Sequence, residues 1–222
     1  MSLPHLVRHY FERALPEGAG DVESVDITQE GTIWMKPGSG GMRFTATEHF
    51  EVKRVAFEWR ARFPVAGPIA LRVVDAYDRG RGVLDLTAFG VRVQRQEGPE
   101  LALGEAMRYL AELPWVPHAM ARNPELEWRE LDERRVEVGA QVLGERAAVT
   151  FEFDADGDIV RATALRNRQV DKTWEETPWG GEFGDYGFVD GIRMPAAAEV
   201  HWELDGERFV YWRGRVLSAS SR

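Results

Sequence analysis

Leu3, Leu6, Val7, Tyr10, Phe11 and Leu15 recur at intervals of three and four, and Pro16-Glu17-Gly18 follows at once. That spacing predicts a helix over 3–15, stopped by breakers. From about residue 21 the period changes to two. Phe44, Ala46 and then Phe50 alternate with Arg43, Thr45, Thr47 and His49, and Phe57, Trp59, Ala61 and Phe63 alternate with Glu58, Arg60 and Arg62. Such alternation reads as half-buried strands. Ile69, Leu71 and Val73 extend the pattern to the glycine-punctuated turn at 78–82, and 83–93 reads as a further strand or hairpin. The first sheet segment is expected to end near Gln96. Between Pro99 and Pro114, the apolar stripe Leu101, Leu103, Met107, Leu110 and Leu113 predicts a second helix over 99–113. After a Pro-punctuated segment, 114–124, strands are expected at 126–131, 136–143, 147–153, 159–168, 197–204 and 209–217. Asp154-Ala155-Asp156-Gly157 and Asp205-Gly206 supply hairpin turns between them, since Asp and Gly tolerate positive φ.

About ten strands and two helices imply an α+β fold. A large antiparallel sheet of that size must curl, and the two helices are the natural cover for its concave face. No internal repeat or linker interrupts the pattern, so residues 1–222 are expected to form a single domain, the segment 96–125 merely dividing the strands into two groups.

Composition narrows the chemistry. The chain has no Cys, which closes disulfide, thiolate-metal and Cys-nucleophile chemistry. With 28 Lys+Arg against 37 Asp+Glu, its charge of −9 repels phosphate backbones, so nucleic acid is not an expected partner. Only Lys36, Lys53 and Lys172 are lysines; the other 25 basic residues are arginines, an imbalance that we ascribe to a genome rich in G and C rather than to function. No stretch approaches the roughly 18 to 20 apolar residues of a membrane span. Serine is confined to the termini and the Gly38-Ser39-Gly40-Gly41 turn, so no nucleophile elbow exists. The turn at Pro37–Gly41 lacks the Lys-Ser/Thr of a phosphate loop and reads as a hairpin. His5 and His9 lack the glutamate of a zincin helix, and the Asp154/Asp156/Asp158 triplet has its glycine at the wrong place for a calcium loop. No metal and no cofactor are expected.

What remains is aromatic and carboxylate–arginine chemistry. Eight tryptophans offer large amphipathic surfaces. Trp59 shares a strand face with Phe57 and Phe63, and Trp202 shares one with Val200 and Leu204, which places Phe57, Trp59 and Trp202 on the inner face. Trp115, Trp128, Trp174 and Trp179 are rim candidates; of these, Trp115, Trp174 and Trp179 stand in Pro- or Gly-rich segments beside charges. Arg108 and Glu112 are four apart on the second helix, and Asp75, with Asp78 and Arg79, is expected to flank a strand end. With Arg168 and Tyr186, these groups would orient a ligand's head group or pin the helices to the sheet.

Trp179-Gly180, Asp185-Tyr186, Gly191-Ile192-Arg193-Met194-Pro195, Glu199-Val200-His201-Trp202 and Phe209-Val210-Tyr211-Trp212-Arg213 follow one another in the C-terminal third. With Leu3-Pro4, Val7-Arg8-His9-Tyr10, Val74-Asp75-Ala76-Tyr77, Arg108-Tyr109-Leu110-Ala111-Glu112, Trp115, Pro117 and Trp128 before them, they give the chain a resemblance to an uncharacterised bacterial family of unknown function. That family looks like the half-barrel of LolA- and LppX-like lipoprotein carriers, in which a curved antiparallel sheet wraps helices around an apolar cavity. The resemblance implies the same architecture here and brings no catalytic residues. Family members often carry a membrane segment before the first helix. This sequence starts Met1-Ser2-Leu3 and enters the helix directly, as truncation would leave it. A cell-envelope location is therefore expected if such a segment was removed, and a cytoplasmic one if the chain is complete. The leading expectation is non-enzymatic binding of an apolar or amphipathic, lipid-like small molecule between sheet and helices. An acid–base enzyme using Asp75 or Glu112 in the same cavity, and a closed interaction module without a cavity, are the alternatives. Neither oligomeric state nor ligand identity follows from the sequence.

Overall fold

A computed structural model describes residues 3–16, 20–67, 69–171 and 173–222. The expected breakers Glu17 and Gly18, the first two residues Met1 and Ser2, and Lys172 lie outside the described residues. Helix α1 (His5–Ala14) precedes a first meander of β1 (Ser24–Ile33), β2 (Met42–Glu51), β3 (Ala56–Ala66), β4 (Ile69–Asp78), β5 (Arg81–Ala88) and β6 (Val91–Glu97). Next come α2 (Pro99–Ala111), a single 3₁₀ turn (Leu113–Trp115) and α3 (Pro117–Arg122). The second meander is β7 (Glu127–Glu130), β8 (Arg135–Val142), β9 (Glu145–Phe153), β10 (Ile159–Val170), β11 (Thr173–Val189), β12 (Ile192–Leu204) and β13 (Glu207–Ser221).

Among the described residues the thirteen strands make one sheet, antiparallel throughout, in the order β6-β5-β4-β3-β2-β1-β13-β12-β11-β10-β9-β8-β7. The chain runs outward from β1 to the edge strand β6 in the first meander and inward from the edge strand β7 to β13 in the second, and β1 pairs with β13 to join them. α2 touches β3 to β6 of one meander and β8 to β10 of the other. One helix reaches both only because the sheet curls around it into a half-barrel. The inner face follows the alternation: Val25 and Ile27, Phe44 and Phe50, Phe57 to Phe63, Val136 to Val142, and Ala147 to Phe153 are buried at every second position. Nearly every side of α2 is buried as well, including Ala102, Ala106, Tyr109 and Leu110. The single stripe expected from the sequence understates a helix enclosed by a sheet. α2 sits close to β5 because residue 82 is glycine: a Cβ there would lie 2.8 Å from the backbone of Ala102. α1 packs on α3 and β12, with Val7, Tyr10 and Ala14 in the same core.

Several expectations need correction. Among the described residues the strand count is thirteen rather than about ten, and three helices replace two, because the Pro-punctuated segment contains α3. Of the two readings of 83–93, the hairpin is the one formed, and its turn, Phe89 (φ 53°) and Gly90 (φ 77°), takes the left-handed geometry that matches strand twist. Residues 173–189, a Gly- and Pro-containing stretch for which no strand is expected, form the longest strand among the described residues. Pairing on both sides with β10 and β12 overrides weak intrinsic propensity there. Asp75 does not flank a strand end: it lies inside β4, opposite Trp59 and Leu84. The turn beyond Asp78 is made by Arg79 (φ 49°) and Gly80 (φ 79°). At the Asp154–Asp158 turn, Asp154 Oδ1 accepts from the backbone N–H of Asp156 and of Asp158, each at 2.9 Å, which makes it a hairpin device. Among the described residues, no group of three His, Asp or Glu side chains is placed to hold a metal ion.

Candidate functional site

Strand register builds the site's floor. Glu48 on β2, Trp59 on β3 and Asp75 on β4 are successive cross-strand partners, so two carboxyls flank one indole on the inner face. α2 lies above this row and lowers Arg108 onto it. The Arg108 guanidinium donates from Nη1 to Asp75 Oδ2 at 2.6 Å, from Nη2 to Glu48 Oε1 at 2.9 Å and from Nε to Glu112 Oε1 at 3.0 Å. Its Cζ stands 4.9 Å from the Phe57 ring centroid and 5.1 Å from that of Trp59. Behind it, Gln29 donates to Glu48 Oε2 at 3.1 Å and accepts from Trp59 Nε1 at 3.0 Å. A second arginine, Arg166 on β10, donates to the Gly104 carbonyl at 2.6 Å with Cζ 4.9 Å from the Trp179 ring; Trp179 Nε1 donates to Tyr211 Oη at 2.9 Å.

Above this floor opens a cavity of about 420 Å³. Its polar lining is Asp75, Glu105, Arg108, Glu112 and Arg166, with Glu199 and Gln94 farther along; the remainder is mostly apolar. Leu71, Val73, Leu84 and Leu86 come from β4 and β5, Trp115 from the 3₁₀ turn, and Phe183 and Trp212 from β11 and β13. Met35, 72 % exposed, and Met42 stand where it meets solvent.

The electrostatics are crowded. Burial, reinforced by the neighbouring Glu112 charge, pushes the Glu48 carboxyl well above the usual carboxylate range, and Arg108 does not offset it. Burial also raises Asp75 and Glu112, and with the Asp75 charge it lifts Glu105 to about 8. Burial works against the charge on Arg108, but Glu112, Glu48, Asp75 and Glu105 outweigh it and fix the guanidinium as a cation. No donor other than a neighbouring carboxyl reaches Asp75 Oδ1, Glu105 Oε2 or Glu112 Oε2. The acids hydrogen-bond one another instead, Glu105 with Asp75 and Glu112 with Glu48, which requires each pair to hold a proton. Arg166 Nε has no partner.

Of the residues singled out in the sequence, Trp59, Asp75, Arg108, Glu112, Trp115 and Trp179 line this cavity. Trp115 and Trp179 belong to its wall and are not rim residues, being buried at 2 % and 6 % exposure, whereas Met35, Met42 and Gln94 are its exposed lining residues. Phe57 lies beneath Arg108 and outside the lining. Trp202 stacks on Tyr211, 5.9 Å between centroids, without lining the cavity. Trp128 packs on the core from edge strand β7, Trp174 is more than one-third exposed at the start of β11, and Arg168 stands one inward position beyond Arg166. Tyr186 faces α1, donating to the Ile159 carbonyl at 2.7 Å and meeting Tyr10 edge-on.

Sequence reasoning missed Glu48, Glu105, Arg166, Tyr211 and Trp212. Two had a signal: Glu48 interrupts the inward series Phe44, Ala46, Phe50, and Glu105 lies three and seven residues before Arg108 and Glu112, on one helix face.

The pattern of a family of unknown function, DUF6544, matches residues 1–214. No curated protein matches the chain. Among solved structures it is similar to a LolA superfamily protein from Nitrosomonas europaea, at a TM-score of 0.50 and 10 % identity over 98 % of this chain and 92 % of that one. It is also similar to a domain described as an outer membrane lipoprotein-sorting protein from Vibrio parahaemolyticus, at 0.53 and 9 % over 98 % and 91 %. At such identities the likeness concerns the fold, and the fold is LolA-like.

Proposed function

The chain belongs to DUF6544, a family of unknown function, and from that premise we propose that it binds a lipid-like, amphipathic small molecule without transforming it. The carrying observation is the cavity itself: about 420 Å³, largely apolar, and bounded on one side by a polar floor of carboxyls and guanidiniums. A volume within roughly 300 to 1,000 Å³ with a few converging polar groups is the common form of a small-molecule site. Trp115, Phe183 and Trp212 offer the chain of such a molecule an aromatic wall, and Met35 and Met42 offer it an adaptable entrance. The structures named above, one described as a lipoprotein-sorting domain, share the architecture and are compatible with this reading. A closed interaction module loses its premise, since the interior is hollow.

The test is extraction of the purified protein followed by mass spectrometry, with tryptophan fluorescence and melting temperature read across amphiphiles of varied chain length. A ligand at one hundred times its Kd stabilises by about 2.7 kcal/mol, an easily read shift. The absence of any co-purified amphiphile, fluorescence change or melting shift would overturn the proposal.

One observation favours the second reading, acid–base catalysis: Glu105, raised to about 8 by burial and by Asp75, is poised to exchange a proton near neutrality inside a cavity. Under that reading Glu105→Gln or Asp75→Asn keeps the fold and abolishes turnover of a co-purified compound. Recovery of that compound unchanged after prolonged incubation with the wild-type protein excludes it.

A further inference from the structure

Resting on the binding reading above, we propose that the polar floor selects amphiphiles whose head group is a cationic nitrogen, a protonated amine or a quaternary ammonium. Four carboxyls, those of Glu48, Asp75, Glu105 and Glu112, converge on only two guanidiniums, of Arg108 and Arg166. The guanidinium of Arg108 is already spent on three of them. Asp75 hydrogen-bonds Glu105 and Glu48 hydrogen-bonds Glu112, so each pair of carboxyls holds a proton in the empty cavity. An incoming cation would displace such a proton and meet a carboxylate. An anionic head would meet the remaining acid charge as repulsion, with the Arg166 Nε–H to compensate. The indoles of Trp59 and Trp179 already carry the Arg108 and Arg166 guanidiniums, so the head group's partners are the carboxyls.

Proton linkage follows from the same geometry. Glu105 is faced by Asp75 from β4, by Arg108 and Glu112 from its own helix, by Arg166 from β10 and by Tyr211 from β13. Because burial and Asp75 hold its carboxyl at about 8, it carries a proton in the empty cavity at pH 7. A bound cation favours the ionised form and expels that proton. Affinity for a cationic amphiphile therefore rises by up to about tenfold per pH unit between pH 6 and 8 and levels above, whereas affinity for an uncharged one stays flat.

The test uses decyltrimethylammonium, decanol and decyl sulfate below their aggregation limits, titrated by tryptophan fluorescence and calorimetry at about 0.15 M salt, where exposed charges are screened beyond about 8 Å. The expected result is binding of the ammonium about tenfold or more tighter than of the alcohol, with the sulfate weakest. Proton release, seen in buffers of different ionisation enthalpy, should accompany the ammonium alone. Glu105→Gln should lower ammonium affinity about tenfold, abolish proton release and leave decanol unchanged. If that variant does not fold, proton release by the wild-type protein decides alone. Decanol or decyl sulfate binding as tightly as the ammonium, or no proton release, overturns this proposal and leaves the binding reading standing. Failure of all three to bind removes the binding reading itself.

Discussion

Two buried clusters of charge lie in the half-barrel, and they differ in how completely they are satisfied. Beside α1, Asp158 receives both Nη atoms of Arg193, at 2.5 and 2.8 Å, and Arg13 at 3.1 Å. Around it Tyr186 donates to the Ile159 carbonyl and Tyr10 to that of Pro114, while Arg193 stands 5.0 Å over the Tyr186 ring. None of these side chains has an orphan atom. Beneath α2, Arg108 is likewise surrounded by carboxyls, but there the acids outnumber the bases and the excess carboxyls meet one another, Asp75 against Glu105 and Glu48 against Glu112. The two regions share ingredients and differ in stoichiometry. A closed network fixes a helix to a sheet; an open one facing a cavity holds back capacity for something not yet present.

The sharpest way to break this contrast is to neutralise the central charge of each cluster, Arg108 in one and Asp158 in the other. Arg108→Met leaves Glu48, Asp75 and Glu112 buried without their guanidinium and should cost about 3–5 kcal/mol in urea unfolding at pH 7. The loss should shrink below pH 5, where the carboxyls take up protons. Asp158→Asn keeps an acceptor between two partly exposed arginines and should cost less, about 1–3 kcal/mol. Equal losses would mean that the two clusters are the same kind of structural pin.

Next in size is the pH dependence of the open cluster. Glu105 is raised in the folded state to about 8 from an ordinary value of 4.5, so the folded protein binds more protons between those values. Stability is then greatest below about pH 4.5 as far as this group is concerned and is lost as pH rises through 8. The loss is at most about 5 kcal/mol. Glu105→Gln should flatten that slope and make the variant the more stable protein at pH 8.5, measured as ligand-free melting temperature. A variant less stable at every pH would assign Glu105 a structural role.

The position of α2 sets the open cluster and not the closed one. Gly82→Ala places a Cβ against the Ala102 backbone. It should cost about 1–3 kcal/mol by overpacking and weaken amphiphile binding, while Asp158 and its partners stay as they are.

Period-two alternation made most of the sheet legible, because one face of each strand is buried, and the helices followed from their stripes. β11 escaped because its glycines and Pro178 are tolerated only through pairing on both sides; Gly180, for instance, leaves room for the ring of His201. Half of the site was legible for the same reason as the sheet: Trp59, Asp75, Arg108 and Glu112 lie on faces that periodicity identifies. Arg166 and Arg168 share a strand face, and only the curl of the sheet decides that the former meets Gly104 and Trp179. Tyr211 and Trp212 are adjacent, so alternation forbids both from lining one cavity. They do so because the register shifts there, with Val200 opposite Trp212 and His201 opposite Val210, leaving Tyr211 as the bulged residue.

The smallest predicted effects come from one conservative change made in each cluster. Tyr186→Phe deletes a hydroxyl that donates to the Ile159 carbonyl, keeps the ring beneath Arg193, and should cost about 1 kcal/mol with no change in amphiphile affinity. Tyr211→Phe deletes the acceptor of the Trp179 indole N–H, leaving a donor unpaired in the cavity wall beside Arg166. Its stability cost should be similar, about 1–2 kcal/mol, but it should also alter the Trp179 environment and hence the fluorescence response to ligand. Matched melting curves with divergent binding curves would separate the open cluster from the closed one more finely than charge removal does. Parallel behaviour in both assays would place Tyr211 among the structural tyrosines and confine the site to the carboxyl floor.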